Sequence, residues 1–335
     1  MKRVLIVRLS AMGDILHAMP AVTALRRSSP EVEVGWLVEE RWQPLLHSAL
    51  VDHLHLAQFS LWRKSWLSGE TRHGIKKLAD EMRAVGYDAV VDFQGAIRSA
   101  FLARASGAVE IVGEDAPREW IARYLFTKRV KTRGVHVIEQ DLEVMSGAAG
   151  VQLDYTPAML PHDAETAEWA RSQREAARPL VLMNPGAGWG AKQWPAERYG
   201  FVAKALFGLG CQVLVNAGPA ERELADDVVR ASENTARAVE CSIEQLIELT
   251  RASALFMGGD TGPLHLASAL GVPCVAIFGP TDPARNGPYG TSAVVLRSPK
   301  SKRDHSRHKR PEKGLLTISP GEVIAAARNL LGAQI

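Results

Sequence analysis

The 335-residue sequence contains few cysteines and no long apolar run. Its three cysteines lie far apart, without a CxxC pair or the Cys/His spacing of a zinc site, so we predict neither a disulfide framework nor a metal site. No apolar stretch approaches the ~20 residues that span a bilayer. The run Val4–Val7 is also too short for a signal-peptide core. We therefore expect a reducing cytoplasm and at most peripheral membrane contact.

The sequence also lacks two common nucleotide-binding signatures. Neither half has G-x-G-x-x-G after its first strand with an acidic residue ~20 positions further on, which disfavours a nicotinamide-dependent dehydrogenase. No Walker A loop with its lysine is present. The net charge of +3 is small for this length and argues against a dedicated nucleic-acid binder. A phosphate site without these signatures would point to group transfer.

Apolar runs typical of buried strands alternate with helical patterns in both halves of the chain. Such alternation predicts an α/β fold with an open parallel sheet in each of two domains. We expect domains at residues 1–160 and 175–318, and a C-terminal helix at 319–335 that could cross back to the first domain. The predicted strands are Arg3–Val7, Val32–Val38, Val51–Leu56, Ala89–Phe93, Glu110–Val112, Pro179–Asn184, Gln212–Asn216, Arg237–Val239, Ala254–Met257 and Cys274–Phe278.

The stretch from Met257 to His265 has the composition of an anion site. It follows an apolar strand, contains three glycines, and leads into a helix with Pro263 near its first position. Main-chain N–H groups and the positive end of the helix dipole converge at such a turn. The alternative is that Asp260 or Thr261 only caps the helix. A second glycine-containing turn, ending at Asp14, follows the first strand, and we expect a helix from Ile15 with a kink or restart at Pro20.

Two parts of the sequence are rich in cations. In the first, Trp62-Arg-Lys-Ser-Trp66, the tryptophans make Arg63 and Lys64 candidates for binding an anion, although such charges also occur on solvated faces. The second, Ser298–Gly314, is called the basic segment below. It carries seven lysines or arginines and two histidines against two acids. Because it has no apolar period, we predict a mobile loop, either a solvated insertion or a device that recruits phosphates.

Six motifs in register resemble the bacterial lipopolysaccharide heptosyltransferases of glycosyltransferase family 9, with spacing closest to the heptosyltransferase I branch. They are Ser10-Ala-Met-Gly-Asp-Ile-Leu-His17, Trp62-Arg-Lys-Ser-Trp66, Asp92-Phe-Gln-Gly95, Lys192-Gln-Trp-Pro195, Gly259-Asp-Thr-Gly-Pro-Leu-His265 and Phe278-Gly-Pro-Thr-Asp-Pro283. The resemblance implies a GT-B fold, in which two Rossmann-like domains face each other across a cleft. It also implies inverting transfer without metal or cofactor.

The same resemblance implies the substrates and the location. The donor would be ADP-L-glycero-D-manno-heptose, bound by the second domain. The acceptor would be the 3-deoxy-D-manno-octulosonic acid (Kdo) residue of the lipid A inner core, bound by the first domain. The enzyme would lie at the cytoplasmic face of the inner membrane, in transient contact with its anionic surface, and would bind no nucleic acid.

The resemblance also assigns residues to roles. Asp14 matches the catalytic base, which takes the proton of the acceptor hydroxyl; the alternative is a helix cap. Lys192 would hold the diphosphate, Glu221 the ribose and Cys241 the adenine. His265 would reach the diphosphate or be a buried structural histidine. The implied donor-binding residues are Lys192, Glu221, Cys241, Asp260, Thr261, Gly262 and His265. The implied acceptor-binding residues are Gly13, Arg63, Lys64, Gln94, Arg98, Arg118 and His136.

Two other functions are compatible with the sequence. The chain could be heptosyltransferase II or another ADP-sugar glycosyltransferase of the same family. It could also be a noncatalytic nucleotide-sugar binding protein, although an acidic residue at position 14 argues against that function.

Overall fold

The computed structural model describes residues 1–62, 64, 65, 68–216, 218, 221–304, 306 and 308–332. The chain divides into two compact units, Met1–Pro161 and His162–Ile335. Both are α/β units, as the alternation of strands and helices predicts. None of the helices in the described ranges is long and apolar enough to cross a membrane.

The described residues of the first unit form one parallel sheet of six strands in the order β3-β2-β1-β4-β5-β6. The central strand β1 pairs Ile6 with Trp36 on one side and with Val91 on the other. Its apolar run Val4–Val7 is fully buried, as a strand covered on both faces requires. The strands are β1 (Arg3–Val7), β2 (Glu33–Glu39), β3 (His53–Ala57), β4 (Ala89–Asp92), β5 (Glu110–Glu114) and β6 (Lys128–Val130).

The helices of the first unit differ from the sequence prediction at one point that bears on the site. Helix α1 begins at Met12 rather than Ile15, and it continues through Pro20 without a break. Because almost every residue from Met12 to Leu25 is buried, packing outweighs the hydrogen bond that proline removes. The helices are α1 (Met12–Ser28), α2 (Phe59–Trp62), α3 (Gly69–Val85), α4 (Ile97–Ala105) and α5 (Val137–Ala149), with 3₁₀ turns at Glu40–Leu45 and Trp120–Leu125.

The described residues of the second unit repeat this arrangement, with strand order β12-β11-β10-β7-β8-β9. The strands are β7 (Leu180–Asn184), β8 (Gln212–Asn216), β9 (Arg237–Val239), β10 (Leu255–Gly259), β11 (Cys274–Phe278) and β12 (Ala293–Arg297). The helices are α6 (Ala164–Ser172), α7 (Ala196–Gly208), α8 (Arg222–Ala231), α9 (Ile243–Arg251), α10 (Gly262–Ala269), α11 (Pro283–Asn286) and α12 (Pro320–Leu331), with 3₁₀ turns at Gly190–Lys192 and Leu315–Thr317.

Two expectations about the C-terminal part need correction. Helix α12, which could have returned to the first domain, belongs to the second unit, because Val323, Ala327 and Leu331 are buried in its core. The basic segment was expected to be a mobile loop, but main-chain hydrogen bonds attach it to the turn at Gly190–Lys192. Hydrogen bonds of this kind need no apolar side chains, so apolar periodicity gave no sign of them.

Candidate functional site

In the second unit, the turn for which the sequence predicts anion binding lies where β10 ends and α10 begins. Thr261 precedes the first helical residue in an extended conformation, with φ of −143°, and among the described residues its side chain caps no N–H of the helix. Its hydroxyl instead donates to the carbonyl of Gly259 at 3.3 Å. The helix N-terminus at Gly262 therefore keeps its positive dipole end for a ligand.

Three charged or titratable side chains, none more than 11% exposed, meet beside this turn. Lys192 Nζ lies 2.5 Å from Asp260 Oδ2 and 3.2 Å from the Asp260 carbonyl. His265 Nε2 lies 3.1 Å from Asp260 Oδ1. The side chains of Lys192 and Asp260 are only 11% and 5% exposed, and the ammonium lies 4.2 Å from the centre of the Trp189 ring. We call Lys192, Asp260 and His265 the lysine cluster.

The protonation of the lysine cluster follows from its geometry. Burial acts to raise the pKa of Asp260, but the hydrogen bond and charge of His265 and the charge of Lys192 outweigh it and hold that pKa well below its usual range. Asp260 is therefore a carboxylate that orients the lysine and the histidine.

Glu221 and Cys241 lie at the ends of neighbouring strands in the same unit. Glu221 accepts hydrogen bonds from the N–H groups of Ala187 and Gly218, each at 3.2 Å, and so links the loops after β7 and β8. Cys241 Sγ donates to Asn216 Oδ1 at 3.1 Å. Burial raises the pKa of Cys241 to about 12, so the thiol stays neutral and can form part of an apolar wall.

In the first unit, Asp14 lies in the first turn of α1 and is held by Arg8, the residue that follows β1. The Arg8 guanidinium donates through Nε to the Asp14 carbonyl at 3.1 Å and lies 3.4 Å from Asp14 Oδ1. It also donates to the carbonyl of Phe93. The N–H of Ala11 donates to Asp14 Oδ2 at 3.1 Å, so Asp14 is not the N-cap residue.

This arrangement leaves Asp14 oriented but accessible. The Arg8 side chain is 8% exposed, whereas that of Asp14 is 40% exposed. Sequence reasoning did not identify Arg8 as a functional residue. The available signal was a charged residue directly after a buried strand, because a buried guanidinium needs a carboxylate or carbonyl partner.

Gln94 and Asp92 tie the loop after β4 to the loop that precedes Asp14. Gln94 Oε1 accepts from the N–H groups of Leu9 at 3.1 Å and Ser10 at 3.4 Å. Asp92 Oδ1 in turn accepts from the Gln94 N–H at 2.8 Å, and Asp92 Oδ2 accepts from the Ser99 hydroxyl at 2.8 Å. Burial raises the pKa of Asp92 to about 6 against the effect of these hydrogen bonds.

Two further residues expected to bind the acceptor also lie near α1. Gly13 is buried in the first turn of the helix. His136 precedes α5, accepts at Nδ1 from the N–H of Ile138 at 3.2 Å, and contacts the ring of His17 edge-on at 5.6 Å between centroids. The structure thus gathers Gly13, Asp14 and Gln94 around the loop between β1 and α1.

The expected acceptor cations Arg98, Arg118 and Lys64 lie elsewhere in the unit. Arg98 is exposed on α4, with its guanidinium 5.5 Å from the centre of the Phe59 ring. Arg118 and Lys64 have exposed side chains. Arg63 lies outside the described residues. The described residues contain no group of three His, Cys, Asp or Glu side chains that could hold a metal ion.

Comparison with known proteins gives the family. The model of glycosyltransferase family 9 (heptosyltransferase) matches residues 75–315. The chain belongs to glycosyltransferase family 9. This heptosyltransferase chain is 31% identical over 306 residues to lipopolysaccharide heptosyltransferase 1 of Pseudomonas aeruginosa, with 88% of this chain and 84% of the relative covered.

Solved structures agree with this assignment. E. coli heptosyltransferase WaaC with ADP superposes with a TM-score of 0.82 at 26% identity, covering 98% of this chain and 99% of that one. WaaC with ADP-2-deoxy-2-fluoro heptose gives 0.78 at 25% identity, with 98% and 99% covered. The resemblance found in the sequence motifs, the α/β fold with two parallel sheets and the glycosyltransferase class are confirmed.

Proposed function

We propose that this heptosyltransferase transfers L-glycero-D-manno-heptose from an ADP-heptose donor to the Kdo residue of the lipid A inner core in lipopolysaccharide biosynthesis. The observation that carries the proposal is the lysine cluster at the N-terminus of α10, where a buried ammonium and a helix dipole suit a diphosphate. The relatives support an ADP-linked heptose, since one of them has been solved with ADP and with ADP-2-deoxy-2-fluoro heptose.

The donor would be bound by the second unit through both ends of the nucleotide. Lys192, Thr261 and the N–H of Gly262 would hold the diphosphate, and Asp260 and His265 would orient Lys192. The carboxylate of Glu221 would accept hydrogen bonds from the ribose hydroxyls in place of those from the N–H groups of Ala187 and Gly218. The neutral thiol of Cys241 would contact the adenine.

The chemistry is a displacement at the anomeric carbon. The acceptor hydroxyl attacks that carbon from the face opposite ADP, Asp14 takes the hydroxyl proton, and ADP departs with the electron pair of the broken C–O bond. The configuration is therefore inverted. Asp14 suits the base because Arg8 fixes its carboxylate from the buried side while the other side stays open.

The positive groups on the protein can stabilise the leaving ADP without a metal ion. Lys192 and the N-terminus of α10 supply the charge that would otherwise come from a divalent cation. The acceptor is itself anionic, and the exposed cations Lys64, Arg98 and Arg118 of the first unit suit its carboxylates and phosphates. We place the enzyme in the cytoplasm, in peripheral contact with the inner membrane.

The decisive experiment measures ADP release from several ADP-sugars with and without a delipidated inner-core acceptor. We expect release only with ADP-heptose plus an acceptor that ends in Kdo, at a rate that excess EDTA leaves unchanged. An acceptor that already carries the first heptose serves as the second arm. Preference for that acceptor would indicate a heptosyltransferase II, and release independent of any acceptor would overturn the proposal.

A further inference from the structure

The basic segment pairs through its main chain with the turn that carries Lys192. The N–H of Ala191 donates to the carbonyl of His308 at 3.0 Å, and the N–H of Glu312 donates to the carbonyl of Ala191 at 3.1 Å. Both main-chain polar groups of the residue before Lys192 are thus bonded to the basic segment. The turn Gly190–Lys192 is a single turn of 3₁₀ helix, a structure with weak hydrogen-bond geometry of its own.

The approach is so close that it requires a glycine. A Cβ added at Gly190 would lie 1.9 Å from the carbonyl oxygen of Lys309, a distance that no side chain could occupy without displacing the basic segment. Gly188, in the same loop, has no heavy atom within 4 Å of its Cβ position among the described residues. The two glycines therefore differ in whether the basic segment lies against them.

The basic segment is also tied at its base. Glu312 Oε2 accepts from the Ser301 hydroxyl and from the N–H of Leu315, both at 2.8 Å. Burial acts to raise the pKa of Glu312, but hydrogen bonds from the N–H groups of Gly314 and Leu315 outweigh it and lower that pKa. Glu312 is thus a carboxylate that closes the loop and sets the position of its own N–H against Ala191.

We propose that the basic segment positions Lys192 for contact with the donor diphosphate. It does so through the main-chain pairing of His308 and Glu312 with Ala191. This proposal rests on the proposed function, in which Lys192 binds the diphosphate. Binding through a lysine requires the main chain that carries the lysine to be ordered. Fixing the turn in advance removes part of that ordering cost from the binding step.

The first test compares Gly190→Ala with its matched control Gly188→Ala. We expect Gly190→Ala to weaken ADP binding, measured by calorimetry, at least about tenfold, because the displaced basic segment frees the lysine turn. The KM for the donor should rise in parallel, while the KM for the acceptor stays unchanged. Gly188→Ala should bind ADP within about twofold of the wild type.

A second pair of variants leaves the Gly190 turn intact. Glu312→Ala removes the hydrogen bonds that the Glu312 carboxylate accepts at the base of the basic segment, and it should weaken ADP binding in the same direction as Gly190→Ala. Glu312→Gln keeps an oxygen acceptor and should restore most of the affinity. The neighbouring Lys313→Ala removes an exposed charge and should leave ADP affinity unchanged, since the proposal acts through main-chain pairing rather than charge.

The double variant Gly190→Ala/Lys192→Met tests whether the effect passes through Lys192. If it does, Gly190→Ala adds no further loss of ADP affinity once the lysine is gone. Additive losses, or wild-type ADP affinity in both Gly190→Ala and Glu312→Ala, would overturn the inference. Failure of the proposed function has a different signature, namely a wild-type protein that binds no ADP or a Lys192→Met variant with full affinity.

Discussion

At the scale of single residues, Arg8 orients the carboxylate of Asp14, and Asp14 itself stays accessible. Arg8 is almost fully buried and bonds to two carbonyls as well as to the carboxylate, so its position is fixed by the loops around it. Asp14 keeps one side of its carboxylate accessible. A base needs both properties, because proton transfer requires a set geometry and an open approach.

Replacing Asp14 by Asn should abolish turnover and spare donor binding. The amide keeps an oxygen that can accept from the Ala11 N–H, so the start of α1 should persist. It cannot take the acceptor proton, and kcat should fall by at least about a hundredfold. Acceptor-dependent ADP release measures the loss, and ADP calorimetry is the control. Turnover near the wild-type rate in this variant would exclude Asp14 as the base.

Arg8 should act on the rate through Asp14. Arg8→Met leaves the carboxylate without its buried partner, and we expect kcat to fall about a hundredfold, the effect of a small misplacement of a reacting group. Arg8→Lys keeps the charge but loses the fork of donors, so its kcat should be intermediate. The ADP affinity and the KM for the donor should stay the same. A wild-type kcat in Arg8→Met would show that Asp14 is oriented without it.

The raised pKa of Asp92 predicts how stability depends on pH. Its pKa rises from an ordinary 3.8 to about 6 on folding, so the folded protein binds the proton more tightly than the unfolded chain. This stabilising contribution is complete below about pH 4 and is lost as the pH rises through about 6. Between those limits the loss amounts to about 3 kcal/mol.

Asp92→Asn should remove this pH dependence. The amide oxygen can still accept from the N–H groups of Gln94 and Gly95. Relative to the wild type, the free energy of unfolding of the variant should therefore increase between pH 4 and pH 7. Asp88→Asn is a control whose pH dependence has the opposite sign and falls below about pH 4, since the N–H groups of Arg3 and Lys2 lower the pKa of Asp88 from its ordinary 3.8. Between pH 4 and pH 7 its difference from the wild type should therefore stay nearly constant. A constant difference between Asp92→Asn and wild type would contradict the prediction.

At the scale of secondary structure elements, the start of α10 has two kinds of donor for the proposed diphosphate, the main-chain N–H groups and the Thr261 hydroxyl, which would turn from the Gly259 carbonyl to the anion. The main-chain N–H groups persist in any variant, whereas the Thr261 hydroxyl can be removed. Thr261→Val keeps the shape of the side chain and should weaken ADP binding about tenfold, the usual worth of a hydrogen bond to a charged group. Thr261→Ser retains the hydroxyl and should bind like the wild type. Equal ADP affinity of Thr261→Val and the wild type, measured by calorimetry, would show that the hydroxyl does not contribute to ADP binding.

The central strands were predictable because they are buried on both faces. Arg3–Val7, Gln212–Asn216 and Cys274–Phe278 agree with the predicted bounds, since a strand inside a parallel sheet must be apolar along most of its length. The edge strand Arg237–Val239 also has the predicted bounds. Strand β6 (Lys128–Val130) escaped prediction, because it is a three-residue edge strand with exposed polar side chains. Strand β12 (Ala293–Arg297) has a recognisable apolar run that was not singled out.

The geometry of the site was predictable only where all the elements that form it lie within one short motif. The turn from Gly259 to His265 contains its own strand end, glycines and helix start, so its form follows from local sequence. Arg8 and the basic segment act through contacts with distant parts of the chain. Their distant partners, Phe93 in one case and Ala191 in the other, are set by the tertiary fold and leave no periodic pattern.

At the scale of the whole molecule, positive charge is concentrated rather than spread. The basic segment holds seven lysines or arginines and two acids, so its formal charge alone exceeds the +3 of the entire chain. Its described lysines are exposed, although its main chain is bonded to the Lys192 turn. The membrane contact proposed above would therefore use the side chains of the basic segment, whereas the proposed effect on the donor site uses its main chain.

This division decides how membrane contact should be tested. Deleting the segment from Lys300 to Lys313 would also remove the bonds to Ala191, so a loss of activity would not report on the membrane. Replacing Lys300, Lys302, Lys309 and Lys313 by Ser keeps the main chain in place. Because each cation near an anionic bilayer contributes about 1 kcal/mol, binding to vesicles rich in anionic lipid should fall by more than about tenfold.

The same substitutions should leave ADP affinity and activity on a soluble acceptor unchanged, because the pairing with Ala191 uses no lysine side chain. A variant in which four exposed lysines elsewhere, Lys2, Lys76, Lys77 and Lys204, are changed to Ser matches the loss of net charge. It should retain most of the vesicle binding, since attraction to a charged surface falls off within about 10 Å at ordinary salt and so depends on where the cations lie. Equal vesicle binding by the two variants would mean that overall charge, rather than the basic segment, brings the enzyme to the membrane.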